Sequence, residues 1–125
     1  VADGTTWDTW SFPLSGGRPE LLQRDAAFPT QDGSRLVFVK PFTYTLAGER
    51  LLMREPDGDV VTLAQATTGI KQPTVSPDGT RVAYVDGRSI QIVDIEGGDP
   101  EEVATGTHVQ WWDDTTLLVS DSALS

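Results

Sequence analysis

Apolar and polar positions alternate in short runs along the 125-residue chain, and each run is closed by a Gly, Pro or Asp-Gly turn. Residues 81–85 and 89–95 are the clearest case, with β-branched and apolar positions written as half-buried strands joined in a hairpin. Comparable runs lie at 6–14, 35–40, 49–55, 60–63, 73–75, 102–105, 108–112 and 116–120. No window of a dozen residues keeps a 3.6-residue period, and Pro or Gly interrupts most stretches before three helical turns could form. The pattern predicts an all-β chain of about twelve strands.

The runs repeat. Gln31-Asp32-Gly33-Ser34-Arg35-Leu36-Val37-Phe38-Val39 aligns with Pro77-Asp78-Gly79-Thr80-Arg81-Val82-Ala83-Tyr84-Val85 at a shift of 46, and Trp112-Asp113-Asp114-Thr115-Thr116-Leu117-Leu118-Val119 follows after a further 35. A second turn type keeps the same register: Gly16-Gly17-Arg18-Pro19-Glu20 matches Gly97-Gly98-Asp99-Pro100-Glu101 at a shift of 81. A period of this length marks solenoids and propellers, in which each unit buries its apolar faces against its neighbours. The unit reads as strand, Asp-Gly turn, strand, longer connection, strand, Gly-rich turn, strand.

In Ser76-Pro77-Asp78-Gly79 the proline presets φ, the aspartate can accept hydrogen bonds from amides ahead of it, and glycine takes the positive-φ position without steric cost. Asp32 with Gly33, and Asp113 with Asp114, are read as the corresponding turns of the other units. Asp114 stands where glycine stood, and aspartate tolerates the left-handed region better than most residues. Recurrence of Asp32, Asp78 and Asp113 argues for a structural role, because catalysis rarely needs the same acid in every repeat.

Composition narrows the function. Nine basic and nineteen acidic side chains give a formal charge of −10, which repels nucleic acid and anionic membrane surfaces. No apolar run approaches the ~20 residues that span a bilayer as a helix, so no direct membrane insertion is expected. The chain holds no cysteine, which excludes disulfides, thiolate metal sites and cysteine catalysis, and no asparagine, which excludes N-glycosylation. Val1 and Ser125 read as cut points, so an excised piece of a longer protein is expected, without a signal peptide of its own.

The stretch 72–85, with Ser76-Pro77-Asp78-Gly79 and a strand ending in Tyr84-Val85, followed by Ile90-Gln91-Ile92-Val93-Asp94-Ile95 and Gly97-Gly98, resembles the WD40-like (PD40) repeat of TolB-type β-propellers. The resemblance is weaker over 27–63, where Thr30 and Gln31 replace serine and proline, and weakest over 107–120, where Trp111-Trp112-Asp113-Asp114 replaces Ser-Pro-Asp-Gly. It implies four-stranded antiparallel blades around a channel, with the strand before the Ser-Pro-Asp-Gly turn innermost. The expected organisation is a single β-propeller segment over 1–125, with repeat units at about 24–63 and 70–105 and a split blade formed by 107–121 with 6–22. Propellers close with roughly four to eight blades, so about three blades leave an incomplete ring or half of a six-bladed dimer. The resemblance further implies an extracytoplasmic bacterial setting, in the periplasm or cell envelope, and a non-catalytic binding or scaffold role toward protein partners. The alternative it allows is the propeller part of a prolyl-oligopeptidase-type serine peptidase whose catalytic domain lies outside this chain.

Catalytic signatures are missing from the sequence: there is no Gly-x-Ser-x-Gly elbow, no His-Glu-x-x-His and no phosphate-cradling loop, so no catalytic residue, metal ligand or cofactor site is expected. The lone histidine, His108, is read as a packing or rim residue that, with Lys71 and Gln72, is also a candidate for the channel mouth. Trp111 and Trp112, with Trp7 and Trp10, are read first as packing residues and then as a candidate closure interface, because the two pairs lie on the two halves of the split blade. The acidic residues Asp94, Glu96, Asp99, Glu101 and Glu102 read as a solvated rim, with a docking patch for a basic partner as the alternative.

Overall fold

The computed structural model describes residues 8–24, 26–40, 49–66 and 69–121. They form twelve strands and no helix: β1 (Thr9–Ser11), β2 (Glu20–Gln23), β3 (Ala27–Asp32), β4 (Arg35–Lys40), β5 (Glu49–Arg54), β6 (Val60–Ala66), β7 (Ile70–Val75), β8 (Arg81–Asp86), β9 (Ser89–Asp94), β10 (Glu101–Thr105), β11 (His108–Asp113) and β12 (Thr116–Ser120). All pairings are antiparallel, as short tight turns between consecutive strands require. Two four-stranded sheets run β3-β4-β5-β6 and β7-β8-β9-β10, flanked by the two-stranded sheets β1-β2 and β11-β12.

The sheets stack face to face in the order of the chain. In β4 the four residues Leu36, Val37, Phe38 and Val39 are all buried, and in β8 so are Val82, Ala83, Tyr84 and Val85. A strand writes a continuous apolar run when both of its faces are covered, and here successive residues feed different layers. Val37 and Val39 turn toward the second four-stranded sheet and meet Val82, Tyr84, Val93 and Ile95. Leu36 and Phe38 turn the other way, to Leu22 of the β1-β2 layer. Ala83, Val85 and Ile90 meet Val109, Trp111 and Leu117 of the β11-β12 layer. Among the described residues the middle interface holds eleven buried residues and each flanking one four, so within that set the contact between the two four-stranded sheets supplies most of the hydrophobic stabilisation.

The first strands of successive sheets, β3, β7 and β11, lie against one another along one side of the stack. In β3 and β7 the ladder slips by a bulge, between Ala27 and Thr30 and between Lys71 and Thr74. Each bulge contains an X-Pro pair, Phe28-Pro29 and Gln72-Pro73, with the first residue at positive φ, 52° and 54°. Proline cannot donate to a ladder, and a bulge leaves its missing N–H without a partner to disappoint. β11 has no proline between His108 and Trp111, and its ladder to β12 is regular there.

Pairing registers refine the repeat. Arg35, Arg81 and Thr116 open the second strands at the spacing the sequence predicts, but they pair with Asp32, the Ser76 position and Asp113. Asp32 and Asp113 therefore stand at the ladder position of Ser76 and not, as the sequence alignment has it, at that of Asp78. The physical reason is loop length: Gly33-Ser34 and Asp114-Thr115 are two-residue hairpin loops, whereas Pro77-Asp78-Gly79-Thr80 spans four residues. The long connection before β5 falls outside the described residues.

Candidate functional site

The Ser76–Arg81 turn is a closed hydrogen-bond system. Ser76 is buried, and its Oγ donates to Asp78 Oδ1 at 2.7 Å while accepting from the backbone N–H groups of Thr80 and Arg81 at 3.2 and 3.1 Å. Asp78 Oδ1 also accepts from the Thr80 N–H at 3.1 Å and the Thr80 hydroxyl at 2.8 Å. Those donors, the Ser76 hydroxyl foremost and Thr80 next, hold the Asp78 carboxyl below its ordinary value. Pro77 is exposed, and Gly79 takes φ 76° and donates its N–H to the Ser76 carbonyl at 2.9 Å. Every polar atom of Ser76 is thus committed to the turn.

The third turn works the same way with fewer parts. Asp113 Oδ1 accepts from the Thr115 N–H at 2.9 Å and the Thr115 hydroxyl at 3.2 Å. The Thr115 amide first, then the Thr116 hydroxyl, draw the Asp113 carboxyl below its ordinary value. Asp114 offers its carbonyl to Arg81 of the neighbouring sheet. In the first turn Gly33 takes φ 56°.

Where β7 and β11 approach, Gln72, Thr74, His108, Gln110 and Ser120 line an open groove floored by Pro73, Val109 and Leu118. Two of the three candidate channel-mouth residues, Gln72 and His108, are brought together here. Lys71 is exposed but lies outside the lining. His108 Nδ1 lies 3.1 Å from the Thr107 hydroxyl, which also donates to the Ser120 carbonyl at 3.2 Å. The positive φ of Gln72 costs about 1 kcal/mol or more in a non-glycine residue and re-aims its side chain relative to a regular strand. The groove therefore offers amide, hydroxyl and imidazole groups suited to hydrogen bonding a polar surface or an extended chain.

The tryptophans divide. Trp111 is half-buried against β7 and β8: its indole N–H donates to the Thr74 carbonyl at 2.9 Å, and the Arg81 guanidinium lies 5.2 Å from the ring centroid. Trp10 and Trp112 are 49% and 68% exposed, on the outward faces of β1 and β11 at opposite ends of the stack. Trp7 lies outside the described residues. The acidic residues Asp94, Glu96, Asp99, Glu101 and Glu102 are exposed, and among the described residues no ion pair joins them.

Two contributors to this region, Thr74 and Arg81, are not among the candidates the sequence offers. For Thr74 a signal is present, since Phe28-Pro29-Thr30 recurs as Gln72-Pro73-Thr74 two residues out of step with the Asp-Gly alignment. Arg81 carried none, because its partners Trp111 and Asp114 are some thirty residues away. No family model matches the chain, and no curated protein matches it.

Proposed function

We propose that the stacked sheets are blades of a β-propeller of the TolB-type, WD40-like kind, and that the chain is a non-catalytic module that binds a protein partner. The observation that carries this reading is the row of first strands, β3, β7 and β11, side by side along one edge of a face-to-face stack of sheets. Radial packing of four-stranded sheets around a channel has that relationship between neighbours. The groove lined by Gln72 and His108 opens on this row and is the binding surface in this reading. A bulge that holds a non-glycine residue at positive φ next to a groove is a feature found at sites that use the re-aimed side chain.

The extracytoplasmic setting belongs to the same proposal and rests on the repeat resemblance alone. The test of binding is photocrosslinking from position 72 or 108 in extract of the source cells, with position 101 on an outer strand as control, followed by titration of the purified partner. Gln72→Ala with His108→Ala is expected to weaken that partner at least about tenfold while far-ultraviolet circular dichroism stays unchanged. Crosslinks confined to position 101, with affinity unmoved by the double substitution, overturn the assignment of the groove.

A further inference from the structure

The two flanking layers are complementary halves of one sheet. In β9-β10, Ile92 pairs with Glu101, Gln91 with Glu102 and Ile90 with Ala104, with a bulge that skips Val103. In β1-β2, Ser11 pairs with Glu20, Trp10 with Leu21 and Thr9 with Gln23, with the same bulge skipping Leu22. The β1-β2 layer therefore has the ladder of the third and fourth strands of a complete sheet. At the other end, Trp111 pairs with Leu117 just before a tight turn, as Val75 pairs with Val82. The β11-β12 layer has the ladder of a first and second strand.

Among the described residues, exposure differs between the two-stranded and the four-stranded sheets. Phe12 occupies the position of Val93, yet Phe12 is 68% exposed and Val93 1%. Leu118 occupies the position of Ala83, yet Leu118 is 48% exposed and Ala83 0%. Two complete sheets separate the layers within one chain, so β12 and β1 of the same molecule stand at opposite ends of the stack.

We propose that the edge of β12 opposite β11, which no described residue of the same chain pairs, pairs with the corresponding edge of β1 opposite β2 in a second copy of this chain. The β8-β9 ladder, in which Val82 pairs with Val93, Ala83 with Ile92, Tyr84 with Gln91 and Val85 with Ile90, supplies the register. Transferred to the half-sheets, it sets Leu117 opposite Phe12, Leu118 opposite Ser11, Val119 opposite Trp10 and Ser120 opposite Thr9. The faces agree. Thr9 already turns inward, donating its hydroxyl to the Ala26 carbonyl at 3.1 Å. Trp10 and Phe12 of one copy then turn onto the other copy's β7–β10 sheet, the sheet that Leu117 and Val119 of that other copy already face, while that other copy's Leu118 and Trp112 turn onto the first copy's β3–β6 sheet. A two-fold pair makes the junction twice, completes two mixed sheets and leaves no end layer uncovered. The second copy is the occupant because the matching ladder is found on this chain itself. The inference rests on the propeller reading, which fixes that the stack curves back on itself.

The chain has no cysteine, so engineered thiols report pairing without background. Val119→Cys and Trp10→Cys variants are prepared separately, mixed and oxidised. The mixture is expected to give a covalent dimer and each variant alone only monomer under denaturing conditions, and light scattering of the unmodified chain is expected to give twice 13.5 kDa. Trp10→Ala is expected to raise the dimer dissociation constant at least about tenfold. Equal crosslinking by either variant alone, or a folded monomer at every concentration, overturns the pairing. Electron-microscopy class averages of the crosslinked dimer separate this result from the propeller reading: a closed ring supports both, whereas an open stack in a specifically crosslinked dimer supports the edge pairing and overturns the ring.

Discussion

Trp111 donates its indole N–H to the Thr74 carbonyl across the gap between two sheets, at 2.9 Å. The bond ties the β11-β12 layer to the first strand of its neighbour, just past the bulge at Lys71–Thr74, where the ladder leaves backbone groups to be satisfied from outside. Arg81 adds a second tie from the same sheet, over the ring and to the Asp114 carbonyl. Trp111→Phe is expected to cost about 1 kcal/mol in urea unfolding, the net value of a part-buried hydrogen bond. An unchanged midpoint would show that water replaces the indole without loss.

The Asp78 carboxyl lies below its usual value of 3.8 because Ser76 and Thr80 donate to it. Its folded pKa is therefore lower than its unfolded one, so its contribution to stability is present above the unfolded value and is lost as pH falls through the folded value. Below about pH 4 the wild type is expected to lose thermal stability faster than Asp78→Asn, which is already less stable at neutral pH. Melting temperatures of the two proteins between pH 7 and 2 (about) test this; parallel curves would count against it.

Tyr84 gives the opposite limb. Burial, and secondarily the charge of Asp86, push its hydroxyl up to about 12. A raised folded pKa means that stability is intact below the unfolded value near 10 and is lost as pH rises toward the folded value, by up to about 3 kcal/mol. Tyr84→Phe is expected to remove that part of the alkaline loss, read as a flatter dependence of unfolding free energy above about pH 10.

Gly106 lets the chain cross from β10 to β11 directly over β12. A Cβ there would lie 2.5 Å from Val119 Cγ1 and 2.8 Å from the Ser120 carbonyl oxygen. Backbone cannot yield as a flexible side chain does, so Gly106→Ala is expected to cost about 1–3 kcal/mol. Hydrogen exchange is expected to quicken in β12 and stay unchanged in β4.

At the bulge, side-chain shape is the probe. Gln72→Val places a β-branched residue at φ 54° and is expected to cost about 1–2 kcal/mol, whereas Gln72→Gly stays within about 0.5 kcal/mol, strain relief offsetting unfolded-state entropy. Equal losses in the two variants would place the cost in the side chain's contacts.

Strands and turns were legible in this sequence because hairpin chemistry is local: Ser76-Pro77-Asp78-Gly79 carries its own hydrogen-bond partners, and runs such as 36–39 and 82–85 announce cover on both faces. β3 was legible only through the repeat, since Phe28-Pro29 breaks its period of two. The displacement of Asp32 and Asp113 was hidden because an Asp-Gly pair, or Asp113-Asp114 in its place, looks alike in a two-residue and a four-residue loop. Of the candidate site, the meeting of Gln72 with His108 was foreshadowed by their common place on first strands. The ties from Arg81 and Trp111 were not, because they depend on how one sheet is laid over the next.

That layering has a consequence for how damage spreads. Phe38 and Val109 belong to separate apolar clusters, with the interface between the two complete sheets lying between them. Energetically the chain is a short one-dimensional array, with nearest-neighbour terms between layers and almost nothing beyond. A cavity opened at Phe38 should loosen β1 and β2 and die out before reaching β11 of the same chain, so that local opening passes from one layer to its neighbour and no further.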